Sequence, residues 1–136
     1  SVFRYKLVHY LAQVADEAQE KAMANRFIAE REVIQDIIRR RMWDEKAKLF
    51  MDIDPKTRRR TGVKAAVGFY PLGTDIPTPE ITEALLSTLG DRKEFWTPYP
   101  VPSLALSDPF YDVNGHWKGT RRNGPWNGRV WPPGHR

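Results

Sequence analysis

Apolar residues in the first third of the chain recur at helical spacing. Two stripes fit this pattern, each on one face of a helix. The two helices are close enough in sequence to form an antiparallel hairpin. The pattern therefore predicts helices over residues 2–20 and 22–42, with stripes made of Phe3, Leu7, Tyr10, Leu11, Val14 and Ala18, and of Met23, Phe27, Ile34, Ile37, Ile38 and Met42.

The spacing changes after Trp43, where apolar and polar residues alternate. Leu49, Met51 and Ile53 would lie on one side of a strand, with Phe50, Asp52 and Asp54 on the other. The turn residues after Ile53 predict a β-hairpin near 48–65. Two carboxylates on one strand face lie about 7 Å apart, close to the separation in an inverting glycosidase. Adjacent acids on one strand cannot flank a substrate from opposite sides, however. We therefore expect Asp54 to start the turn and Asp52 to be exposed.

A third helix is predicted over residues 79–89. Thr78 is its N-cap, Pro79 lies in the first turn, Gly90 follows the last turn, and Leu85, Leu86 and Leu89 form the buried stripe. No periodic segment follows Gly90. Many aromatic residues argue against disorder there, so we expect a long ordered loop with a function. Its aromatic residues are Trp96, Tyr99, Phe110, Tyr111, Trp117, Trp126 and Trp131.

Composition narrows the class of protein. The chain has 136 residues, 40% of them hydrophobic and 29% charged, which is typical of a globular unit. It has no cysteine, which excludes thiol chemistry.

No apolar run approaches the ~20 residues of a membrane span, so we expect a soluble chain without a membrane partner and favour the cytoplasm. His9, His116 and His135 lie too far apart in sequence to indicate a metal site. Because Ser1 is not a methionine, we expect the N-terminus to be either processed or, more simply, cut out of something larger.

The net charge of +5 raises the possibility of a nucleic-acid partner, because clustered Lys and Arg attract phosphates. No nucleic-acid-binding motif accompanies this charge. The clusters lie at a helix end, in a turn and in a loop, and we expect them to share no face. We therefore do not expect a nucleic-acid partner. The clusters are Arg39–Arg41, Lys56 with Arg58–Arg60 and Lys64, and Lys118 with Arg121 and Arg122.

The aromatic residues near the C-terminus suit a sugar ligand. Flat aromatic faces stack on sugar rings, and neighbouring Arg, Asn and Asp side chains bind hydroxyl groups. Alternatively, the tryptophans and prolines pack against one another and only make the loops rigid. These residues alone leave both interpretations open.

Four separated segments, taken in order, resemble trehalase-like and mannosylglycerate-hydrolase-like glycoside hydrolases, near glycoside hydrolase family 63. The segments are "MWDEKAKLFMDIDPKT", "TGVKAAVGFYPL", "EFWTPYPVPSLALSDPFYD" and "PWNGRVWP". The resemblance covers about residues 2 to 132 and implies a mainly α fold, an (α/α)6 toroid of six helical hairpins around a sugar pocket. Residues 1–136 would be a single partial domain of this toroid, with a short β-hairpin and a long aromatic, proline-rich loop.

The resemblance also implies a function: inverting hydrolysis of an α-glucoside or related sugar, with no cofactor. In these relatives the catalytic acid precedes the region matching Ser1 and the base follows the region matching Trp131. The catalytic motifs are thus absent from this chain, and we expect it to be inactive alone. The residues expected to bind substrate are Trp96, Trp117, Trp126 and Trp131 by stacking, Asn127 and Arg129 as clamps, and Gly128, which permits close backbone approach.

The expected partners are a carbohydrate substrate and the remainder of the toroid. A complete toroid would be roughly three times as long as this chain, so apolar faces made to meet neighbouring hairpins should remain exposed. The alternative is a non-catalytic carbohydrate- or protein-interaction module. In a protein-interaction module the exposed helix faces would bind a partner chain and the aromatic loop would serve only as packing.

Overall fold

The computed structural model describes residues 1–112, which begin with a helical hairpin. Helix α1 spans Val2–Glu17 and helix α2 spans Lys21–Ile37, so both predicted helices are confirmed. Helix α2 continues into a π-helical turn, Ile38–Met42, and helical structure therefore ends next to Trp43, as predicted. None of the helices in residues 1–112 has the length and apolar character needed to cross a membrane.

The ends of α1 explain the hairpin. The Ser1 hydroxyl accepts a hydrogen bond from the Arg4 amide at 3.5 Å and caps the helix. Gln19 adopts a left-handed φ of 61°, and the Glu20 amide donates to the Ala15 carbonyl at 2.8 Å, which closes the last turn and reverses the chain. Near the start of α1, the Arg4 guanidinium pairs with Glu30 of α2 at 2.6 Å, as the antiparallel arrangement requires.

The two helices pack through small residues and leave larger apolar residues at the surface. Val8, Ala12 and Ala15 of α1 and Ala24 of α2 are buried, because small side chains let the two backbones approach closely. Most residues of the two predicted apolar stripes lie on the exposed surface of the hairpin, as expected for faces that meet other hairpins. Exposed members of these stripes are Phe3 (69% exposed), Leu7, Tyr10, Leu11, Val14, Met23 and Ile37.

The predicted β-hairpin is present, but its paired strands lie earlier than expected. Strand β1, Trp43–Asp44, pairs antiparallel with β2, Leu49–Phe50, rather than within 48–65. The turn after Ile53 connects residues that form an isolated bridge, between Ile53 and Arg60, rather than paired strands. The expected alternation is wrong at Phe50, which is buried beside Leu49 because its ring packs on Trp43 with centroids 5.1 Å apart.

A 3₁₀ helix over Ala66–Gly73 was not predicted, because its apolar run has neither helical nor strand periodicity. It packs directly on β2. A Cβ at Gly68 would lie 2.5 Å from the Phe50 carbonyl oxygen and 2.7 Å from Leu49 Cγ, so only glycine fits this contact.

Helix α3 spans Pro79–Gly90, and the Thr78 hydroxyl caps it by accepting from the Ile81 amide at 3.3 Å. Gly90 is the last residue of the helix rather than the residue after it. Leu85 is fully buried, but the prediction for Leu86 is wrong, since it is exposed. The core around Leu85 draws on the helices, the sheet and the loop after α3, through Tyr5, Ile38, Leu49, Phe50, Ile76, Phe95 and Ala105.

Candidate functional site

The loop after α3, residues 91–112, carries exposed aromatic side chains on a buried base. Trp96 is 48% and Tyr99 80% exposed, and Phe110 is also exposed. The base of the loop is formed by buried residues that include Phe95, Pro102, Leu104, Ala105 and Asp108. The loop therefore presents aromatic rings to solvent from a backbone that is fixed to the core.

The start of the loop is organised by Asp91. Its carbonyl oxygen accepts hydrogen bonds from the amides of Glu94, Phe95 and Trp96, each at 3.0 Å, and its carboxylate accepts from the Lys93 amide at 2.8 Å. Phe95 is fully buried and meets a second ring, that of Phe69, edge-on at 4.8 Å. The Trp96 backbone is thus held on both sides while its ring faces outward.

The middle of the loop pairs with the segment before the 3₁₀ helix. Ala65 and Leu104 form an antiparallel bridge, the Ala66 amide donates to the Ser103 carbonyl at 3.0 Å, and the Ala105 amide donates to the Lys64 carbonyl at 2.9 Å. These bonds satisfy backbone groups that would otherwise be buried without partners.

Asp108 is a buried carboxylate with a structural role. It is 5% exposed, and its two oxygens accept from the Lys64 amide and the Phe110 amide, both at 2.8 Å. A buried carboxylate is tolerated when it is hydrogen-bonded in this way. Because both oxygens already accept from backbone amides, Asp108 anchors the loop and is poorly placed for proton transfer.

The Lys64 side chain completes the anchor. Its ammonium group pairs with Glu94 at 2.7 Å and donates to the Ser107 hydroxyl at 2.8 Å, and Ser107 donates in turn to Glu94 at 2.7 Å. Glu94 and Ser107 come from the two ends of the aromatic loop. The grouping of Lys64 with the basic clusters was therefore wrong, since this residue holds the loop together.

A small cavity near the start of α1 was missed by the sequence reasoning. It has a volume of about 290 Å³ and is lined by Tyr5, Lys6, His9, Tyr10, Gly73, Thr74 and Asp75. Its polar residues come from α1 and from a loop more than sixty residues away, so no sequence spacing indicates that they meet.

The polar groups of this cavity are ordered. The Tyr5 hydroxyl donates to Asp75, and burial together with that carboxylate raises the pKa of Tyr5 to about 12. The same hydrogen bond lowers the pKa of Asp75 below its ordinary value. Arg31 donates to His9 Nδ1 at 3.2 Å, and the side-chain nitrogen of Gln13 lies 3.4 Å from His9 Nε2. The cavity therefore offers a hydroxylated ligand the Asp75 carboxylate as an acceptor, beside an imidazole ring whose two nitrogens already have neighbours.

The structure assigns Asp54 to the turn, as expected. Its carboxylate accepts from the amides of Lys56 at 2.7 Å and Thr57 at 3.0 Å, and these hydrogen bonds lower its pKa. Asp52 is exposed. The two acids therefore act as a turn residue and a surface residue rather than as a catalytic pair.

One expectation about charge was wrong. Two of the basic clusters share a face, because Arg40, Arg41, Arg58, Arg59 and Arg60 line a single cleft. They meet because the turn after Ile53 folds back onto the end of α2. Within residues 1–112, no group of three or more His, Cys, Asp or Glu side chains is arranged to hold a metal ion.

Of the substrate-binding residues predicted from the sequence, Trp96 lies in the described part of the chain, on the anchored loop. The other six lie outside residues 1–112, and their role stays a prediction. They are Trp117, Trp126, Asn127, Gly128, Arg129 and Trp131.

The chain is similar in sequence or in structure to several known proteins. An uncharacterized protein of Borreliella burgdorferi is 32% identical over 75 residues, which are 55% of this chain and 16% of that protein. A sialidase superposes with a TM-score of 0.78 and 19% identity over 94% of this chain and 11% of its own. A GH63 mannosylglycerate hydrolase from Thermus thermophilus, solved in complex with glucose, gives a TM-score of 0.69 and 22% identity over 93% of this chain and 27% of its own.

These similarities support a mainly α fold that corresponds to part of an α-toroid, and the chain spans less than a third of the length of each of these proteins. The family model of the mannosylglycerate hydrolase MGH1-like glycoside hydrolase domain matches residues 3–134, nearly the whole sequence. The chain therefore belongs to the MGH1-like glycoside hydrolase domain family.

Proposed function

We propose that this chain is part of an inverting glycoside hydrolase that acts on an α-glucoside or a related sugar, and that its aromatic loop contacts the sugar. One observation carries the proposal: in a member of a glycoside hydrolase family, the loop at 91–112 exposes Trp96 and Tyr99 on an anchored base. Aromatic faces held in this way are suited to stacking on sugar rings.

The anchoring supports binding as well as stability. A loop that must become ordered on binding costs about 0.5–1.5 kcal/mol per immobilised side chain. Here the backbone of Trp96 is already fixed by the Asp91 carbonyl, and Lys64 links Glu94 to Ser107. The ordering cost of the loop is therefore small when a sugar binds.

The proposal also includes the predicted substrate-binding residues that lie outside the described part of the chain. Trp117, Trp126 and Trp131 would provide further stacking platforms, while Asn127 and Arg129 would bind hydroxyl or carboxylate groups, with Gly128 allowing the backbone to approach. The indole groups would add stacking surfaces to the exposed aromatic side chains of 91–112, and the guanidinium group would add hydrogen-bond donors.

An inverting mechanism needs two carboxylates about 6.5–9.5 Å apart on opposite sides of the scissile bond. Three acids of the described residues have other partners: Asp108 binds backbone amides, Asp54 forms a turn and Asp75 accepts from Tyr5. Because the catalytic motifs of the similar glycoside hydrolases also lie outside the region that this chain matches, we infer that both catalytic carboxylates lie outside this chain, in the remainder of a toroid that also covers the exposed apolar faces of α1 and α2.

Sugar binding by the isolated chain tests the proposal. Saturation-transfer NMR with methyl α-glucoside, glucose and mannosylglycerate should detect weak binding of at least one sugar. Trp96→Ala should weaken that binding up to about tenfold, because an aromatic contact contributes up to about 1.5 kcal/mol beyond its buried area. Phe3→Ala is the matched control, since it removes an even more exposed ring that lies on α1 rather than on the loop.

The same samples test the catalytic part of the proposal. The chain alone should release no sugar from these glycosides above the buffer rate. Equal binding by wild type and Trp96→Ala would contradict the role of the loop. Hydrolysis that is lost in Asp54→Asn would contradict the assignment of the catalytic carboxylates to other parts of a longer protein.

A further inference from the structure

The basic cleft joins two neighbouring segments of the chain, 40–44 and 51–62. Its volume is about 570 Å³, and its walls come from the end of α2 and from the turn after Ile53. The lining residues are Arg40, Arg41, Asp44, Met51, Ile53, Arg58, Arg59, Arg60 and Gly62.

Arg60 holds the two walls together. Its guanidinium donates to the carbonyl oxygens of Trp43 at 3.1 Å and Arg41 at 3.4 Å, and it pairs with Asp44 at 3.1 Å. The turn itself is fixed by the Asp54 carboxylate, which accepts a hydrogen bond from the Lys56 amide. Two backbone hydrogen bonds close it: the Asp54 amide donates to the Arg59 carbonyl, and the Arg58 amide donates to the Asp54 carbonyl, each at 2.8 Å. The cleft is therefore part of the fold rather than a chance meeting of long side chains.

Two of the five arginines are neutralised and three are not. Arg60 pairs with Asp44, and Arg40 pairs with Asp36 at 2.6 Å. For Arg41, Arg58 and Arg59, the part of the chain at 1–112 provides no ion-pair partner. Three like charges facing one concave surface repel one another, and a bound anion would remove that repulsion.

We propose that this cleft binds a small ligand carrying a phosphate or diphosphate group, a property beyond the proposed glycosidase function. Guanidinium groups bind phosphate oxygens through paired, charge-assisted hydrogen bonds. The cleft volume lies within the range of about 300–1,000 Å³ that is typical of small-molecule sites. The partly exposed Ile53, beside the edge of the buried Met51, adds a small apolar surface for the remainder of such a ligand.

The shape favours a small ligand over a nucleic acid. The unpaired charges meet in one cleft and do not form a stripe along the described surface, whereas a nucleic acid is contacted at many successive phosphates. Pyrophosphate, a compact anion that carries several negative charges near neutral pH, is the simplest probe that matches three unpaired guanidinium groups.

Titration calorimetry and thermal unfolding of the 136-residue chain test the proposal. Pyrophosphate should bind at physiological salt and raise the melting temperature, as any ligand of the folded state does. Binding of ADP would identify a nucleotide diphosphate as a suitable ligand, and binding of glucose 6-phosphate a sugar phosphate, so the two sources are compared in parallel.

The double variant Arg41→Ala/Arg59→Ala should weaken pyrophosphate binding at least tenfold, since it removes two guanidinium groups that can form charge-assisted hydrogen bonds to phosphate oxygens. Its melting temperature without ligand should not fall, because both side chains are exposed. Arg26→Ala is the control for net charge: Arg26 is an exposed arginine of α2 that does not line the cleft.

Three results would overturn the proposal. The first is no detectable pyrophosphate binding at physiological salt. The second is a loss of pyrophosphate affinity per removed charge that is as large in Arg26→Ala as in the double variant, which would show that only net charge matters. The third is tighter binding of a single-stranded oligonucleotide than of pyrophosphate, lost in the same double variant, which would make the cleft a nucleic-acid contact.

Discussion

The two faces of helix α1 have opposite environments. Tyr5, Val8, Ala12 and Ala15 are buried, and apart from Tyr5 these are small or medium side chains. The exposed face carries most of the larger apolar residues, namely Phe3, Leu7, Tyr10, Leu11 and Val14. Within this hairpin, burial therefore follows side-chain size rather than hydrophobicity alone, because close helix packing requires small residues.

Helix α2 repeats the pattern. Ala24 is buried at the interface, whereas Met23, Ile28, Val33 and Ile37 are exposed. A monomeric soluble protein rarely exposes a contiguous apolar surface of this kind, and such surfaces mark interaction sites. This agrees with our proposal that other helical hairpins of a toroid cover the outer face. The buried face stabilises this chain itself, so the two faces should respond differently to substitution.

The largest contrast is expected between two aromatic residues two positions apart on α1. Tyr5→Ala should lower the free energy of unfolding by about 3–5 kcal/mol, because a large side chain leaves a cavity in the core. Phe3→Ala should change it by no more than about 0.5 kcal/mol, because its ring is exposed. Urea denaturation followed by circular dichroism measures both. Comparable losses in the two variants would mean that the outer face is covered in the isolated chain.

A smaller contrast is expected at two alanines of α2. Ala24→Leu should destabilise the chain by about 1–3 kcal/mol, because the added atoms force the helices apart. Ala22→Leu places the same side chain on the exposed surface and should have little effect. Thermal unfolding of both variants checks the result. If Ala24→Leu is as stable as wild type, close packing through alanine does not explain the hairpin.

The hydroxyl of Tyr5 should contribute about 1 kcal/mol, the net value of a typical hydrogen bond. Tyr5→Phe keeps the ring and removes only the hydrogen bond to Asp75. Because folding raises the pKa of Tyr5 to about 12 from 10.0, its contribution is complete below pH 10 and is lost as the pH rises towards 12.

Folding lowers the pKa of Asp75, so the contribution of Asp75 to stability depends on pH in the opposite direction to that of Tyr5. It is present above the ordinary value of 3.8 and is lost as the pH falls below it. Stability curves of wild type and Tyr5→Phe, measured from acid to alkaline pH, should therefore converge at both extremes. Parallel curves would show that Tyr5 and Asp75 are not linked.

The smallest effect on stability is expected on the exposed face. Leu7→Lys/Val14→Lys should leave the free energy of unfolding within about 0.5 kcal/mol of wild type, as for surface substitutions generally. The same variant should bind less of an apolar dye such as ANS and self-associate less, because both residues belong to the exposed apolar surface. Light scattering and dye fluorescence provide the measurements. Unchanged dye binding would mean that this face is not available to a partner.

The sequence predicted the elements that depend on local signals. Helical periodicity located α1 and α2, and Thr78 and Pro79 located the start of α3. Periodicity does not report which side of a helix is covered, since that depends on side-chain size and on the neighbouring element. Leu86 was for this reason wrongly predicted to be buried.

Features built from distant residues could not be predicted. Strand β1 is two residues long and has no period to detect, and the 3₁₀ helix depends on the contact between Gly68 and Phe50. The aromatic loop was predicted from its composition, but its anchor joins Lys64 to Asp108, 44 positions apart. The shared basic cleft likewise required the turn at Asp54 to fold against α2.

The Lys64 anchor has a consequence for the dynamics of the aromatic loop. The amide, carbonyl and ammonium groups of Lys64 all bind residues of 91–112, so this loop cannot open without also releasing the segment that leads into the 3₁₀ helix. Segments linked in this way open as one cooperative unit in hydrogen exchange. The amides of Lys64 and Ala105 should therefore exchange together and slowly, and the exposed ring of Trp96 is carried by a backbone with one long-lived conformation.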